Sequence, residues 1–245
     1  IGGLGLMAGV LGSWMMEYSL VPWWLLVPLA GLIAVSLLDD MRNLPVRQRL
    51  MFQFAAAVML VVGCGLLAGE RLVGALALLL FTVWLTNLYN FMDGSNGLAG
   101  GMALFGFAGY GVAALLANNE PFAMMNFSIS AAALAFLLFN FPSAKVFMGD
   151  AGSIPLGFLV AAMGLWGWQQ ECWPMWFPLV VFSPFIVDAS VTLIKRALRG
   201  EKITVAHREH YYQRAIQMGW GHRKLALVEY VLMGSLGVTA LLCRE

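Results

Sequence analysis

The chain is 245 residues long, 61% hydrophobic and 11% charged, with a mean hydropathy of +0.80, a balance that excludes a water-soluble globular domain. Its 14 basic and 13 acidic residues leave a formal net charge of +1, which argues against a nucleic-acid-binding protein. The 3 cysteines, Cys64, Cys172 and Cys243, are far apart and lack metal-type spacing; a disulfide between Cys172 and Cys243 is left open.

Nine apolar runs at or near bilayer-spanning length follow one another, over about 4–16, 20–38, 51–68, 72–91, 98–116, 122–141, 154–168, 174–194 and 225–242. The expected fold is therefore all-α: one polytopic integral membrane helical bundle over residues 1–245, with about nine transmembrane helices. The first run is short and the chain opens on Ile1, so an N-terminal piece is expected to be absent, and no cleavable signal peptide is recognisable. The opening IGGLG reads either as a flexible lead or as close helix packing through small residues. Trp23, Trp24, Trp166, Trp168, Trp173 and Trp176 cluster at run ends, where interface anchors are expected.

If the spans alternate, one side receives Arg42, Arg47, Arg49, Lys145, Lys195, Arg196, Arg199, Lys202, Arg208, Arg214, Arg223 and Lys224, and the other only Arg71 and Arg244. That asymmetry predicts the first side to be cytoplasmic. Asp39, Asp40, Asp93, Asp150 and all 3 histidines fall on the same side, whereas the other side carries Glu17, Glu70, Glu120 and Glu171. The chemistry is expected at one face.

The polar stretches at that face come in order. The second run ends in Asp39-Asp40 and leads into MRNLPVRQR; adjacent carboxylates raise each other's proton affinity unless cations lie near, and Arg42, Arg47 and Arg49 are the candidates. The alternative is a solvated helix end. Residues 87–101, NLYNFMDGSNGLAGG, break an apolar run with a glycine-rich turn. Asn87, Asn90, Asp93 and Asn96 recur every third residue, so on a continuing helix they would share a drifting face. Such oxygens at a membrane edge suit a hard cation and a polar ligand, although Asp-Gly and Asn-Gly are also ordinary turn dipeptides. Residues 139–153, FNFPSAKVFMGDAGS, supply a fourth aspartate, Asp150. Asp188 lies within the eighth run, where an ionisable group reads as functional or as paired with a neighbouring helix. In the basic loop over residues 195–224, His207, His210 and Arg214 would share a stripe if helical. Two histidines without a third ligand are a poor zinc site; a cationic patch for phosphate or a surface helix on lipid headgroups fits better.

Together LLDDMRNLPVRQR, NLYNFMDGSNGLAGG, NFPSAKVFMGDAGS and AHREHYYQR resemble the ordered motifs of the polyprenyl-phosphate N-acetylhexosamine-1-phosphate transferases, glycosyltransferase family 4. The WecA-like bacterial branch, which starts O-antigen and related glycan synthesis, is the most similar. The resemblance runs from Ile1 to about Glu229. It implies transfer of a sugar 1-phosphate from a UDP-N-acetylated sugar to undecaprenyl phosphate in the bacterial inner membrane, with release of UMP at the cytoplasmic face. It further implies Mg2+, or Mn2+ as a substitute, on Asn90 and Asp150. Asp39 and Asp40 match the essential pair near the lipid phosphate, as base or as organiser, and Asp93 matches a position of the nucleotide site. Arg49, His207, Arg208 and Arg214 match phosphate-binding positions, Phe147 and Asn96 uracil-contacting ones, and Asn87 and His210 complete the substrate set. The lipid bilayer is the other expected partner, with a homodimer left open. One departure is Asn96, where many bacterial relatives carry aspartate. A multi-span secondary transporter is the alternative, but transporters gather polar groups at the midplane in repeated halves, and no internal repeat is visible. The motifs do not distinguish one N-acetylated sugar from another.

Overall fold

The computed structural model describes residues 2–16, 21–66, 72–202 and 207–244; Ile1 and the loop charges Glu17, Glu70 and Arg71 lie outside the described residues. Those residues form α1 (Gly2–Met15), α2 (Trp23–Arg42), α3 (Val46–Gly63), α4 (Leu72–Phe91), α5 (Leu98–Leu116), α6 (Glu120–Asn140), α7 (Asp150–Gln169), α8 (Phe177–Val181), α9 (Ser183–Leu198), α10 (Tyr211–Gln217) and α11 (His222–Leu242). No strand occurs among them, and the chain is an all-α polytopic bundle. Seven of these helices, α2 to α7 and α11, are long and apolar enough to cross a membrane.

The other two expected runs differ. The first yields only the 14 residues of α1, and the eighth is broken between α8 and α9. Pro184 stands at the start of α9 and has no amide proton to continue the ladder, while the Ser183 hydroxyl donates back to the Val180 carbonyl at 2.7 Å. Gly2 and Gly3 donate to the Phe147 and Met148 carbonyls at 3.2 and 3.1 Å, so of the two readings of the opening segment, close packing is the one observed. The cysteines are all free, and the bridge left open is not formed. The tryptophans divide: Trp23 is exposed, whereas Trp24 and Trp173 are buried and pack edge-on or stacked against Trp166 and Phe177.

The bundle is built round α7, buried continuously from Ala151 to Leu165 and packed on α1, α2, α4 and α5. In hydrocarbon, helices associate through close packing rather than water exclusion. At Gly157 a Cβ would stand 2.8 Å from both the Leu85 carbonyl oxygen and the Thr86 Cα, so only glycine lets the α4 and α7 backbones approach this closely. That contact fixes the register between the C-terminal end of α4 and the N-terminal end of α7, where the candidate residues lie.

Candidate active site

The turn between α2 and α3 folds one arginine back over one aspartate. Asn43 closes α2 in the left-handed region (φ 50) and donates to the Asp39 carbonyl, and the Leu44 amide donates to Asp39 Oδ1 at 2.6 Å. Pro45 then starts α3, whose first turn sets Arg49 at 2.9 Å from Asp39 Oδ2 and 3.5 Å from Asp150 Oδ2. Asp40 uses its carboxylate differently: Oδ1 and Oδ2 accept from the Asp150 and Ala151 amides, each at 3.3 Å. It therefore satisfies the free amides at the positive end of α7. Gly149, at φ 67, makes the turn that presents those amides. Asp93 sits close enough for the Asp150 charge to act on it; burial first, and that charge second, push its carboxyl up to about 7 against the pull of the Gly149 amide. Of these four carboxyl groups two, Asp39 and Asp150, thus share Arg49, while Asp40 is held by backbone amides.

Helix α4 stops at Phe91, so of the residues recurring every third position only Asn87 and Asn90 are helical, and Asp93 and Asn96 stand in the turn. The Asp-Gly step ends the helix before the expected face can continue. Asn90 Oδ1 accepts from the Ser153 hydroxyl at 2.6 Å; Asn87 Nδ2 donates to Gln53 Oε1 at 2.5 Å. The turn is pinned to the loop after α6 through Asn140, whose Oδ1 accepts from the Gly97 amide at 2.6 Å and whose Nδ2 donates to the Val146 carbonyl at 2.9 Å. Asn96 Nδ2 faces the Pro142 carbonyl at 3.5 Å, and Phe147, on the same loop, is 69% exposed. Asn96 and an open aromatic ring therefore lie on two loops tied together.

The basic loop departs from the expected single stripe. Helix α10 begins only at Tyr211, because Asp188 of α9 accepts from the Tyr211 and Tyr212 amides, both at 2.9 Å. His207 and His210 precede the helix with ring centroids 4.8 Å apart. Burial, then His210 and Arg196, hold the His207 ring below its ordinary proton affinity, and its Nδ1 accepts from the Glu209 amide at 3.4 Å. A neutral ring so held carries its proton on Nε2. Glu209 is tied to Arg196 and Arg199 and lies 3.5 Å from Arg214; its carboxyl is held below its usual range, first by the Arg199 hydrogen bond. Arg208 and Arg214 are exposed.

Between α3, α4 and α9 runs a groove of about 620 Å³. Leu50, Phe54, Leu80, Trp84 and Leu193 give it apolar walls, and Arg49, Asn87, Asn90, His207 and His210 line its polar end. The candidates thus form three groups: these five in the groove, the aspartates 39, 40, 93 and 150 around Arg49 and the first turn of α7, and Asn96 with Phe147 on the paired loops. Arg208 and Arg214 stand on the surface beside them. Sequence reasoning missed Gln53, Asn140 and Ser153, and left Asp188 undecided. The available signal was a polar side chain within, or at the end of, an apolar run. Among the described residues no three acidic, histidine or cysteine side chains converge on one point. The oxygen donors offered by Asp150 and Asn90 suit a hard cation that takes one or two protein ligands and completes its shell with water and phosphate oxygens.

Residues 22–167 match the family model described as glycosyl transferase family 4. A probable undecaprenyl-phosphate N-acetylglucosaminyl 1-phosphate transferase of Bacillus subtilis is 28% identical over 87% of this chain and 63% of its own length. A decaprenyl-phosphate N-acetylglucosaminephosphotransferase of Mycobacterium tuberculosis is 26% identical over 96% of this chain and 69% of its own. A phospho-N-acetylmuramoyl-pentapeptide-transferase of Lactobacillus helveticus is 29% identical over 91% and 76%. The chain thus spans a little under two thirds of the Bacillus relative's length.

Proposed function

We propose, because this chain belongs to glycosyl transferase family 4, that the protein transfers an N-acetylated sugar 1-phosphate from a UDP-sugar to undecaprenyl phosphate, as the WecA-like branch does at the start of O-antigen and related glycan synthesis. The observation that carries the reading is an apolar groove whose polar end, with Arg49, Asn90 and two histidines, opens beside a cluster of aspartates. The groove suits an isoprenoid chain, and its polar end suits the phosphate that chain carries. The twelve-to-two bias of basic residues supports a cytoplasmic site in a bacterial inner membrane.

In this reading an oxygen of the lipid phosphate attacks the β-phosphorus of the nucleotide sugar. The new bond is oxygen to Pβ, the bond to the bridging oxygen breaks, and UMP leaves with that electron pair. Such transfers depend on positioning and charge neutralisation more than on covalent help from the protein. Arg49 holds the lipid phosphate against Asp39 and Asp150, and Asp40 keeps α7 in place. His207 donates from Nε2. Phe147 offers a ring and Asn96 an amide to the base. Asp150 and Asn90 would hold Mg2+, or Mn2+, which supplies neutralisation of the diphosphate when bound.

The test is to incubate membranes from cells expressing the protein with undecaprenyl phosphate, Mg2+ and each of a panel of radiolabelled UDP-N-acetylated sugars. Label is expected in the organic-extractable lipid for at least one donor, with stoichiometric UMP. Absence of lipid-linked label for every donor, with sealed vesicles instead accumulating unmodified solute, would establish the transporter reading.

A further inference from the structure

We infer that Asp188 is a positioning residue for phosphate recognition, acting through His210; the inference rests on the groove's polar end being the seat of the lipid phosphate. Asp188 is itself buried at 8% exposure and is absent from the groove lining. Its carboxylate gathers four contacts: the Tyr211 and Tyr212 amides at 2.9 Å, the Thr192 hydroxyl at 3.3 Å and His210 Nδ1 at 3.2 Å. A carboxylate has no hydrogen to give, so the proton in the last contact is the ring's own, on Nδ1.

That contact decides what the groove meets. His210 is 3% exposed, and its ring lies near-parallel to those of Phe91, at 6.1 Å, and Tyr212, at 5.9 Å. Its plane is thereby set, and with Nδ1 committed to Asp188 the nitrogen left for a ligand is Nε2. His210 lines the polar end of the groove together with Arg49 and Asn90. Neutral, the ring offers Nε2 as an acceptor for the proton of a monoprotonated phosphate; protonated, it offers a charge-assisted donor to the dianion. In both states one proton is shared between Nε2 and a phosphate oxygen. The neighbouring His207 complements it, since its Nδ1 accepts from a backbone amide and its Nε2 donates. While His210 is neutral, two rings 4.8 Å apart thus present opposite hydrogen-bonding characters, and what sets His210 apart is Asp188.

Asp188 also caps α10, so loss of activity in one variant is insufficient evidence. The first readout needs no turnover: nitrogen-15 NMR of histidine-labelled protein in micelles, assigned by single substitutions because the chain has only 3 histidines. His210 is expected in the Nδ1–H form in the wild type, its ring resonances moving on addition of undecaprenyl phosphate, and both features are expected to be lost in Asp188→Asn. An Nε2–H ring in the wild type, or a ring that ignores the lipid phosphate, overturns the inference. The second readout is a double-mutant cycle. Asp188→Asn and His210→Gln should each lower kcat/KM for undecaprenyl phosphate roughly 10- to 100-fold, the range found for groups that orient a metal-ligating histidine. The KM for the nucleotide sugar should stay within about twofold, and the double variant should be no worse than the poorer single one. Thr192→Val, which removes another donor to the same carboxylate oxygen, should leave kcat/KM within about twofold. Multiplying losses would show a merely structural role. If Asp188→Asn does not fold, the wild-type tautomer and the His210→Gln loss decide. Failure of the wild type to label lipid would sink the proposed function, while the NMR result would still decide the role of Asp188.

Discussion

Asn140 is the sharpest place to test how the proposed nucleotide side of the site is assembled. It is the last residue of α6 and is buried, and it joins the turn after α4 to the loop before α7 by the two hydrogen bonds to Gly97 and Val146. Asn140→Ala removes both. Each is worth about 1 kcal/mol net, and the buried Gly97 amide, left without a partner, adds about 1–3 kcal/mol. The local cost is therefore ~3–5 kcal/mol, which would raise the population of the opened turn roughly 100- to 5,000-fold. Asn140→Asp keeps the acceptor for Gly97 but sets a carboxylate oxygen against the Val146 carbonyl, and should be no better. Hydrogen exchange followed by mass spectrometry reads this directly: peptides covering residues 92–98 and 142–149 should exchange faster together, while peptides within α2 and α3 stay protected. The KM for the nucleotide sugar should rise more than that for the lipid, since Asn96 and Phe147 lie on the separated loops. Unchanged protection in both loops would refute the idea that Asn140 holds them together.

Three further outcomes follow from the geometry. Asp150→Ala should reduce transfer at least 100-fold without lowering the melting temperature by more than a few degrees, because it removes an oxygen ligand proposed for Mg2+ and only the longer of the two Arg49 contacts; activity within severalfold of wild type would dismiss the assignment. Asp93 should make stability fall as pH rises: its carboxyl, ordinarily near 3.8, is held up to about 7 in the folded state, so the folded protein binds the extra proton between those values. The stabilisation is complete below about pH 3.8 and is lost as pH climbs through about 7; in EDTA, Asp93→Asn should flatten that part of the melting-temperature profile, and a profile of unchanged slope would contradict the burial argument. Gly94→Ala should displace the buried Tyr212, because an added Cβ would overlap its hydroxyl, which donates to the Phe91 carbonyl at 3.0 Å; a cost of about 1–3 kcal/mol, read by thermal melting, is expected, and a neutral substitution would mean that the turn yields freely.

How much of this was legible beforehand depends on how far each determinant lies from the residue it controls. Hydropathy found the runs because a membrane span is decided within about twenty residues. It overlooked the break in the eighth, although Pro184 was in view, because hydropathy is insensitive to a missing amide proton. The end of α4 was written locally in Asp93-Gly94. The start of α10 was not: the group that caps it, Asp188, lies 23 residues upstream of Tyr211, so whether His207 and His210 stood on a helix could not be decided locally. The aspartate cluster was readable as membership of one face, but the division of labour within it was not. That Asp39 takes Arg49 while Asp40 takes the amides of α7 depends on how two helix ends meet.

A rule for reading such chains follows from the solvent. In hydrocarbon a polar side chain finds no water, so each one inside an apolar run must bond to its own helix or to another element. Thr82, Thr86 and Asn126 take the first course, donating to carbonyls four residues back at 2.8 Å, and they carry no tertiary information. Ser130 donates across to the Leu104 carbonyl at 2.9 Å and ties α6 to α5. Gln53, Asn140 and Asp188 also bond outside their own helices, and their partners are Asn87 in the groove, the two loops below α6, and the histidine-bearing segment. Polarity inside a span therefore marks a tie. The tie points to function only where its far partner is a ligand-facing group, which is why these three, and Ser153 through Asn90, lead to the site whereas Thr82, Thr86, Asn126 and Ser130 do not.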